Sequence, residues 1–364
     1  MVYKVVGLMS GSSLDGIDIA FVNLQETAGR WQYELVAAEC YSYPEIWKKK
    51  LQEATSLSSL DYQFLHSQYG HYLGQTVTEF IKKYELQHQV ALISSHGHTT
   101  FHEPGKMMTH QLGNGAAIAA ETGLAVVSDL RALDVAFGGQ GAPIIPVGEK
   151  LLFDEYELFL NLGGIANISA RLEEEYIAFD VCPANRVLNM LASLAGLDFD
   201  NHGNLASQGK LNQKLLTELN ELRYYKLEYP KSLSNDFGTA IVYPIITKYE
   251  LNTQDALATY VEHIAMQIYS AINSVQAKKV HKSKGQLFVT GGGAFNGFLI
   301  ERLQRWLSGI NIEIIIPSAP IVKFKEALVM ALLGLLRWRE ENTVLSSVTG
   351  AKRDSIGGAL WLGT

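Results

Sequence analysis

Tyr3-Lys4-Val5-Val6-Gly7-Leu8-Met9, then Ser10-Gly11-Ser12-Ser13, then Gly16-Ile17-Asp18-Ile19-Ala20-Phe21-Val22-Asn23 is the stretch that decides the fold. The first run is apolar and stops at a glycine–serine turn. The second alternates, with Ile17, Ile19 and Phe21 on one face and Ala20 and Val22 on the other. That is the signature of strand, turn, strand. Gly29 precedes a third run, Trp31 to Ser42. The theme restarts further on. Glu157 to Asn161 ends at Gly163-Gly164, Ala166 to Ala170 follows, and Tyr176 to Phe179 ends at Asp180.

Helical spacing follows each opening. Phe64, Leu65, Tyr69, Leu73, Val77, Phe80 and Ile81 recur on one stripe, as do Val261, Ile264, Ile268 and Ile272. Further helices are expected over Gly115 to Glu121, Val187 to Leu194, Leu211 to Leu222, Asn296 to Leu307 and Lys325 to Arg339. Short strands are expected at Val90 to Ser94, Leu124 to Val127 and Gln286 to Thr290. The repeat is too long for a solenoid. Strands alternating with helices in two similar halves predict two layered α/β lobes.

The chain has 364 residues, 47% hydrophobic and 18% charged, which supplies apolar side chain for two cores. Lys plus Arg is 30 against 37 Asp plus Glu, a formal net charge of −7. An acidic chain is a poor polyanion binder, so no nucleic-acid partner is expected. The basic run Lys278, Lys279, His281, Lys282 and Lys284 reads as a solvated helix end and loop. Cys40 and Cys182 are the two cysteines, too few and too far apart for a disulfide framework, which fits a reducing compartment. The N-terminus lacks a signal-peptide pattern, and the longest apolar run, Ala327 to Leu336, is too short to span a bilayer. No membrane association and a cytoplasmic location are expected.

Three strand ends carry small-residue loops: Gly11-Ser12-Ser13, Gly163-Gly164 and Gly291-Gly292-Gly293. Glycine lets backbone approach a ligand, and successive N–H groups in such a turn make an anion nest. One such loop is an ordinary tight turn. Three at strand ends of two similar halves suit a nucleoside triphosphate. No G-x-x-x-x-G-K-[ST] and no G-x-G-x-x-G occurs, so neither a Walker A loop nor a Rossmann fingerprint is present.

At Leu8-Met9-Ser10-Gly11-Ser12-Ser13-Leu14-Asp15-Gly16-Ile17-Asp18 the sequence closely resembles the anhydro-N-acetylmuramic acid kinase family. The resemblance runs through His96-Gly97-His98-Thr99, Ser128-Asp129-Leu130-Arg131, Gly138-Gly139-Gln140-Gly141-Ala142-Pro143 and Asn161 to Ile168. It continues at Phe179-Asp180, Pro230-Lys231-Ser232, Gly291 to Asn296, Glu326-Ala327 and Val348-Thr349-Gly350-Ala351. The resemblance implies two ribonuclease-H-like lobes, as in the actin-like ATPase fold, around a central cleft. One lobe would hold residues 1–135 plus about 340–364, the other 136–339.

The activity it implies is cleavage of the 1,6-anhydro bond of anhydro-N-acetylmuramic acid by water, with phosphorylation of O6 by ATP. The product is N-acetylmuramate 6-phosphate, made in peptidoglycan recycling. ATP and Mg²⁺ are the implied cofactors, and a homodimer the implied assembly. Carried over by position, Gly11, Ser12, Ser13, Leu14, Asp15, Gly16, Ile17 and Asp18 would hold ATP phosphates. Gly163 and Gly164 would form a second phosphate loop, and Gly291, Gly292, Gly293 and Asn296 would lie by the adenosine. Asp180 matches the catalytic base, which must reach the attacking water. Thr99, Arg131 and Glu326 match sugar-holding positions, and Arg131 can fork onto a lactyl carboxylate.

The sequence also departs from the family. Its catalytic loop usually reads Asp-Thr-Gly-Pro-Gly-Asn, and here it is Asp180-Val181-Cys182-Pro183-Ala184-Asn185. The Cβ atoms of Cys182 and Ala184 are expected to narrow the space beside a phosphate. Asn189 and Asn114 stand where the family has Asp, and a third Asp is missing from Ile321 to Lys325, so the metal ligands stay unassigned. A working divergent branch is the preferred reading. The alternatives are a catalytically impaired homologue that binds a cell-wall sugar, a kinase for another sugar, or, from the fold alone, a chaperone-like ATPase. His96, His98, His102 and His110 cluster in sequence, but no H-E-x-x-H helix or cysteine accompanies them, and loop or substrate-wall roles fit better than a metal site.

Overall fold

The computed structural model describes residues 1–11, 14–173, 175–234, 236–277 and 285–363. Ser12, Ser13 and the basic run from Lys278 to Lys284 lie outside the described residues. Twelve strands occur among those described. They are β1 (Val2–Ser10), β2 (Gly16–Thr27), β3 (Arg30–Ser42), β4 (Leu92–Glu103), β5 (Met108–Leu112), β6 (Val126–Ser128), β7 (Leu158–Leu162), β8 (Ile165–Leu172), β9 (Glu175–Pro183), β10 (Gly285–Thr290), β11 (Ile312–Ile315) and β12 (Ala359–Trp361).

The chain divides into two units, Met1–Asp154 with Phe324–Thr364, and Glu155–Lys323. These limits differ from the 135 and 340 expected from the sequence. Residues after 135 stay with the first unit because they are packed into it. The Phe153 ring lies 5.3 Å from that of Tyr33, and Glu149 pairs with Lys325 at 2.9 Å.

The first unit holds a sheet ordered β12-β6-β4-β1-β2-β3, with β5 paired to β4. β1, β2 and β3 form an antiparallel meander, while β4 runs parallel to β1 and β6 parallel to β4. The alternation read from Ile17, Ile19 and Phe21 is borne out, since all three are fully buried in one core with Leu8, Tyr69, Leu73 and Phe80. Burying each such side chain contributes roughly 1.5–3 kcal/mol. Helix Ser59–Lys83 covers this face, begun by Ser58, whose side chain accepts from the Asp61 N–H. Gly7 lets helix Ala319–Trp338 approach β1 closely. A Cβ at Gly7 would fall 2.0 Å from the carbonyl oxygen of Ala327.

The second unit repeats the plan. Its sheet is ordered β11-β10-β7-β8-β9, with an antiparallel β7-β8-β9 meander and β10 and β11 parallel to β7. Helices Asn185–Ser193, Thr253–Ala277 and Gly297–Ser308 pack on it around Leu160, Ile168, Val187, Ile264 and Leu303. A meander followed by parallel strands on its first member is the ribonuclease-H-like sheet, present here twice. No described helix is long and apolar enough to cross a membrane.

Candidate functional site

In open α/β sheets, ligands bind beyond the carboxyl ends of the parallel strands, where strand order reverses. In the first unit those are the ends of β1, β4 and β6. Ser10, which ends β1, stands opposite His98 of β4 in register. Its hydroxyl lies 2.7 Å from that of Tyr43 and 3.1 Å from Nδ1 of His98. Leu14, just before β2, stands at φ 59°. Asp18 faces Cys40 across the β2–β3 ladder, and the thiol donates to its carboxylate. Burial lifts the Asp18 carboxyl to about 6 against that hydrogen bond, and the charges of Asp15 and Glu326 add to the rise. Burial likewise pushes the Cys40 thiol up to about 12, although the residue as a whole is exposed.

Arg131 follows β6 and is held in place from two sides. Its Nε donates to Nε2 of His96 at 2.8 Å, and its Nη1 donates to the Gly141 carbonyl. Nδ1 of His96 lies 2.8 Å from the Gly97 carbonyl, so the ring carries its proton there and is neutral. Burial, helped by the Arg131 charge, holds His96 down to about 3. Burial alone takes His98 to about 4. The Arg131 guanidinium is itself desolvated and falls to about 10, with Glu326 and Asp134 opposing the fall. Burial raises the Glu326 carboxyl, while Lys325 and Arg131 draw it back. Glu326 thus couples electrostatically to both Asp18 and Arg131. Thr99 is exposed on β4 and accepts from Gln111 Nε2 at 3.4 Å. Behind these groups the buried Asp134 accepts from the Gly141 N–H and the Thr349 hydroxyl, both at 2.7 Å, which ties down the Gly138-to-Pro143 loop.

In the second unit the ends of β7 and β10 lie side by side, Asn161 opposite Thr290. The loops Gly163-Gly164 and Gly291-Gly292-Gly293 therefore meet at one edge. A Cβ on Gly291, at φ 82°, would fall 2.5 Å from Oδ1 of Asn161, so the fold itself requires glycine there. Gly163 and Gly164 differ. A Cβ on either would meet no protein atom nearer than 3.4 Å. Their lack of a side chain leaves room that the protein does not fill. Asn185 braces both loops. Its Nδ2 donates to the Leu162 carbonyl at 2.8 Å, and its Oδ1 lies 3.0 Å from the Cβ position of Gly293. Asn296 accepts from the Leu299 N–H at 3.1 Å and so caps the helix that follows.

Asp180 is partly buried on β9. Its Oδ2 accepts the Leu233 N–H at 2.8 Å, its N–H reaches the Lys231 carbonyl at 3.2 Å, and Tyr224 donates to its carbonyl at 2.7 Å. Burial raises its carboxyl, and the Leu233 hydrogen bond only partly offsets that. β9 runs on past Asp180 to Pro183, with a register shift just beyond it, so the acid lies within the strand and not at its end as expected. A carboxylate lifted by desolvation has the character of a general base. The expected crowding by Cys182 and Ala184 is not what the structure holds. Both side chains are fully buried in the second unit's core, where their bulk packs against apolar neighbours. Cys182 is buried and its thiol is raised far above the ordinary range, so it is neutral.

The four histidines do not converge on a metal. His96 spends both nitrogens on Gly97 and Arg131, and no described group of three His, Cys, Asp or Glu residues is arranged to hold an ion. Sequence reasoning missed Cys40 as the partner of Asp18, His96 as the anchor of Arg131, Asn185 as the brace, and the Tyr224–Lys231 flank of Asp180. Each acts through tertiary contact. His96, Asn185 and Lys231 each sat in a motif that could have flagged them.

The family model for anhydro-N-acetylmuramic acid kinase matches residues 3–363. Relatives bearing that name include one from Pasteurella multocida, 32% identical over 370 residues covering 98% of this chain and 96% of the relative. Another, from Shewanella denitrificans, is 31% identical over 371 residues, 96% of each chain. A third, from Bacillus thuringiensis subsp. konkukian, is 30% identical over 381 residues, 97% of each. A solved structure of the activator of the 2-hydroxyisocaproyl-CoA dehydratase from Clostridium difficile with bound ADPNP aligns with TM-score 0.45 and 16% identity, over 93% of this chain and 96% of that one.

Proposed function

This chain belongs to the anhydro-N-acetylmuramic acid kinase family, and from that premise we propose that it uses ATP and water to turn 1,6-anhydro-N-acetylmuramic acid into N-acetylmuramate 6-phosphate, a step of cell-wall recycling. The observation that carries this reading is the match over residues 3–363, with Asp180 retained as a partly buried carboxylate on β9.

Asp180 would take a proton from the water that attacks C1. The C1–O6 bond breaks, O6 takes the γ-phosphoryl group, and ADP leaves. Gly163, Gly164, Gly291, Gly292 and Gly293 would offer backbone N–H groups to the nucleotide, as would Gly11 and Leu14 to Asp18 in the first unit. Arg131 would fork onto the lactyl carboxylate, and Thr99 and Glu326 would hold sugar hydroxyl or amide groups. Asn296 would lie near the adenosine while keeping its helix cap.

Mg²⁺ keeps most of its waters and takes one or two carboxylates besides phosphate oxygens. Asp15 and Asp18, close enough for one charge to raise the other's carboxyl, fit that donor set. When bound, the ion would neutralise phosphate charge. The test is ADP release by the full chain supplied with ATP, Mg²⁺ and the anhydro sugar. Release that requires the sugar is expected, and its absence would overturn the reading.

A further inference from the structure

Lys231 belongs to the segment whose backbone is hydrogen-bonded to Asp180, and the mechanism above leaves its side chain without a task. Its carbonyl accepts the Asp180 N–H, and two residues on, the Leu233 N–H donates to Asp180 Oδ2. The segment therefore runs alongside the acid. The Lys231 side chain is half-buried. Its Nζ stands 4.8 Å from the centre of the Tyr224 ring and 6.0 Å from that of Phe179. Aromatic faces orient an ammonium but do not neutralise it. Among the described residues no carboxylate lies within ion-pair distance of Nζ, and no side-chain hydrogen bond engages it. The thiol of Cys182, its other electrostatic neighbour, is neutral.

A half-buried cation with three donors and no carboxylate partner is placed to receive an anion. Phosphoryl transfer supplies one, because the reaction depends on positioning and charge neutralisation. We propose that Lys231 is a further binding residue of the phosphoryl-transfer site, pairing with the γ-phosphate of ATP and then with the new sugar phosphate. The inference rests on the kinase reading. It predicts that Lys231 separates ATP from ADP, since only ATP carries the group it meets.

The experiment titrates ATP and ADP by calorimetry into the full-length wild type, Lys231→Met, Lys231→Gln and Lys231→Arg, and measures kcat and KM on each. In the two neutral variants ATP should weaken about 10-fold, ADP should stay within about twofold, and kcat should fall about 100-fold, the scale of losing one transition-state donor. Lys231→Arg should recover part of both losses. A wild-type ATP-to-ADP ratio and kcat in the neutral variants overturns the proposal. So does an equal loss of both nucleotides, which a merely structural lysine would give. A wild type that binds neither nucleotide overturns the kinase reading and this proposal with it. A wild type that turns over beside an unimpaired Lys231→Met overturns this proposal alone.

Discussion

Arg131 donates its Nε–H to His96 Nε2 across 2.8 Å, and His96 in turn gives its Nδ1 proton to the Gly97 carbonyl. One neutral imidazole thus fixes the direction of the guanidinium. Gly97 sits at φ 71° and belongs to the same strand, so the anchor is built into the backbone of β4. Replacing His96 by Phe keeps an aromatic ring but removes the acceptor. The expected outcome is a rise of about 10-fold in KM for the sugar and a stability loss of about 1–3 kcal/mol from the unsatisfied buried donor. Steady-state kinetics and urea unfolding of the variant check both.

Asp180→Asn keeps the shape and the Leu233 contact but cannot take a proton. Turnover should fall by about 10²–10⁴-fold while nucleotide affinity stays within about threefold. In the wild type, burial raises this carboxyl, so activity should fall on the acid side at a pH above the usual Asp range. A kcat–pH profile beside nucleotide titration decides the matter. Full turnover in the variant would remove Asp180 from the base role.

The glycines separate ligand from fold. Gly163→Ala and Gly164→Ala add a methyl that meets no protein atom nearer than 3.4 Å. Their unfolding free energy should change by less than about 0.5 kcal/mol while ATP affinity drops about 10-fold. Gly291→Ala at φ 82° is the opposite case, with a costly backbone and a clash against Asn161. It should lose about 1–3 kcal/mol of stability. Paired denaturation and ATP titration of the three variants test this contrast.

Much of the architecture was legible in the first twenty-three residues and their echo after Glu157, because strands buried on both faces print as short apolar runs ended by glycine turns. Polar strands do not. β4 was expected to end at Ser94, yet it runs on through His96-Gly97-His98-Thr99 to Glu103, since its polar half pairs with β5 and leads into the site. β5, β11 and β12 were missed because each is short. Helix Ala319–Trp338 was expected to begin at Lys325, because the opening residues 319–324 are too few to show a helical period of their own. Lys325, read only as the start of that helix, is 4% exposed and paired with Glu149. Of the site, glycines and Asp180 stand out as residue types. The partners that tune them, Cys40, His96, Asn185 and Lys231, are set by distance in space.

That Lys325–Glu149 pair gives a fourth prediction. Both side chains are 4% exposed and 2.9 Å apart. Lys325→Met takes the ammonium away from a buried carboxylate and should cost about 3–5 kcal/mol. The double variant Lys325→Met with Glu149→Leu should recover most of that loss. A double-mutant cycle by urea unfolding measures it, and additive losses would contradict the coupling.

Acid should act through the buried histidines. His263, which lies 2.7 Å from Asn220 Oδ1 and 3.1 Å from the Tyr225 hydroxyl, is held by burial down to about 3. A histidine depressed in the folded state contributes stability that is complete above its ordinary 6.5 and is lost as pH falls from there. Asp18, raised to about 6, works in the other direction, its contribution fading as pH rises. A single-site comparison isolates the first effect. His263→Gln should flatten the fall of stability between about pH 6 and 4 by up to about 1.4 kcal/mol per pH unit. Equal slopes in variant and wild type would contradict the assignment.

The most direct test of the central claim is the identity of the product formed by the full chain from ATP, Mg²⁺ and 1,6-anhydro-N-acetylmuramic acid, read by mass spectrometry and phosphorus NMR. Water activated at C1 while O6 is phosphorylated yields only N-acetylmuramate 6-phosphate, the ring bridge opened and one water gained per ADP released. Phosphorylated sugar with the anhydro bridge intact, or no phosphorylated sugar at all, would contradict the account.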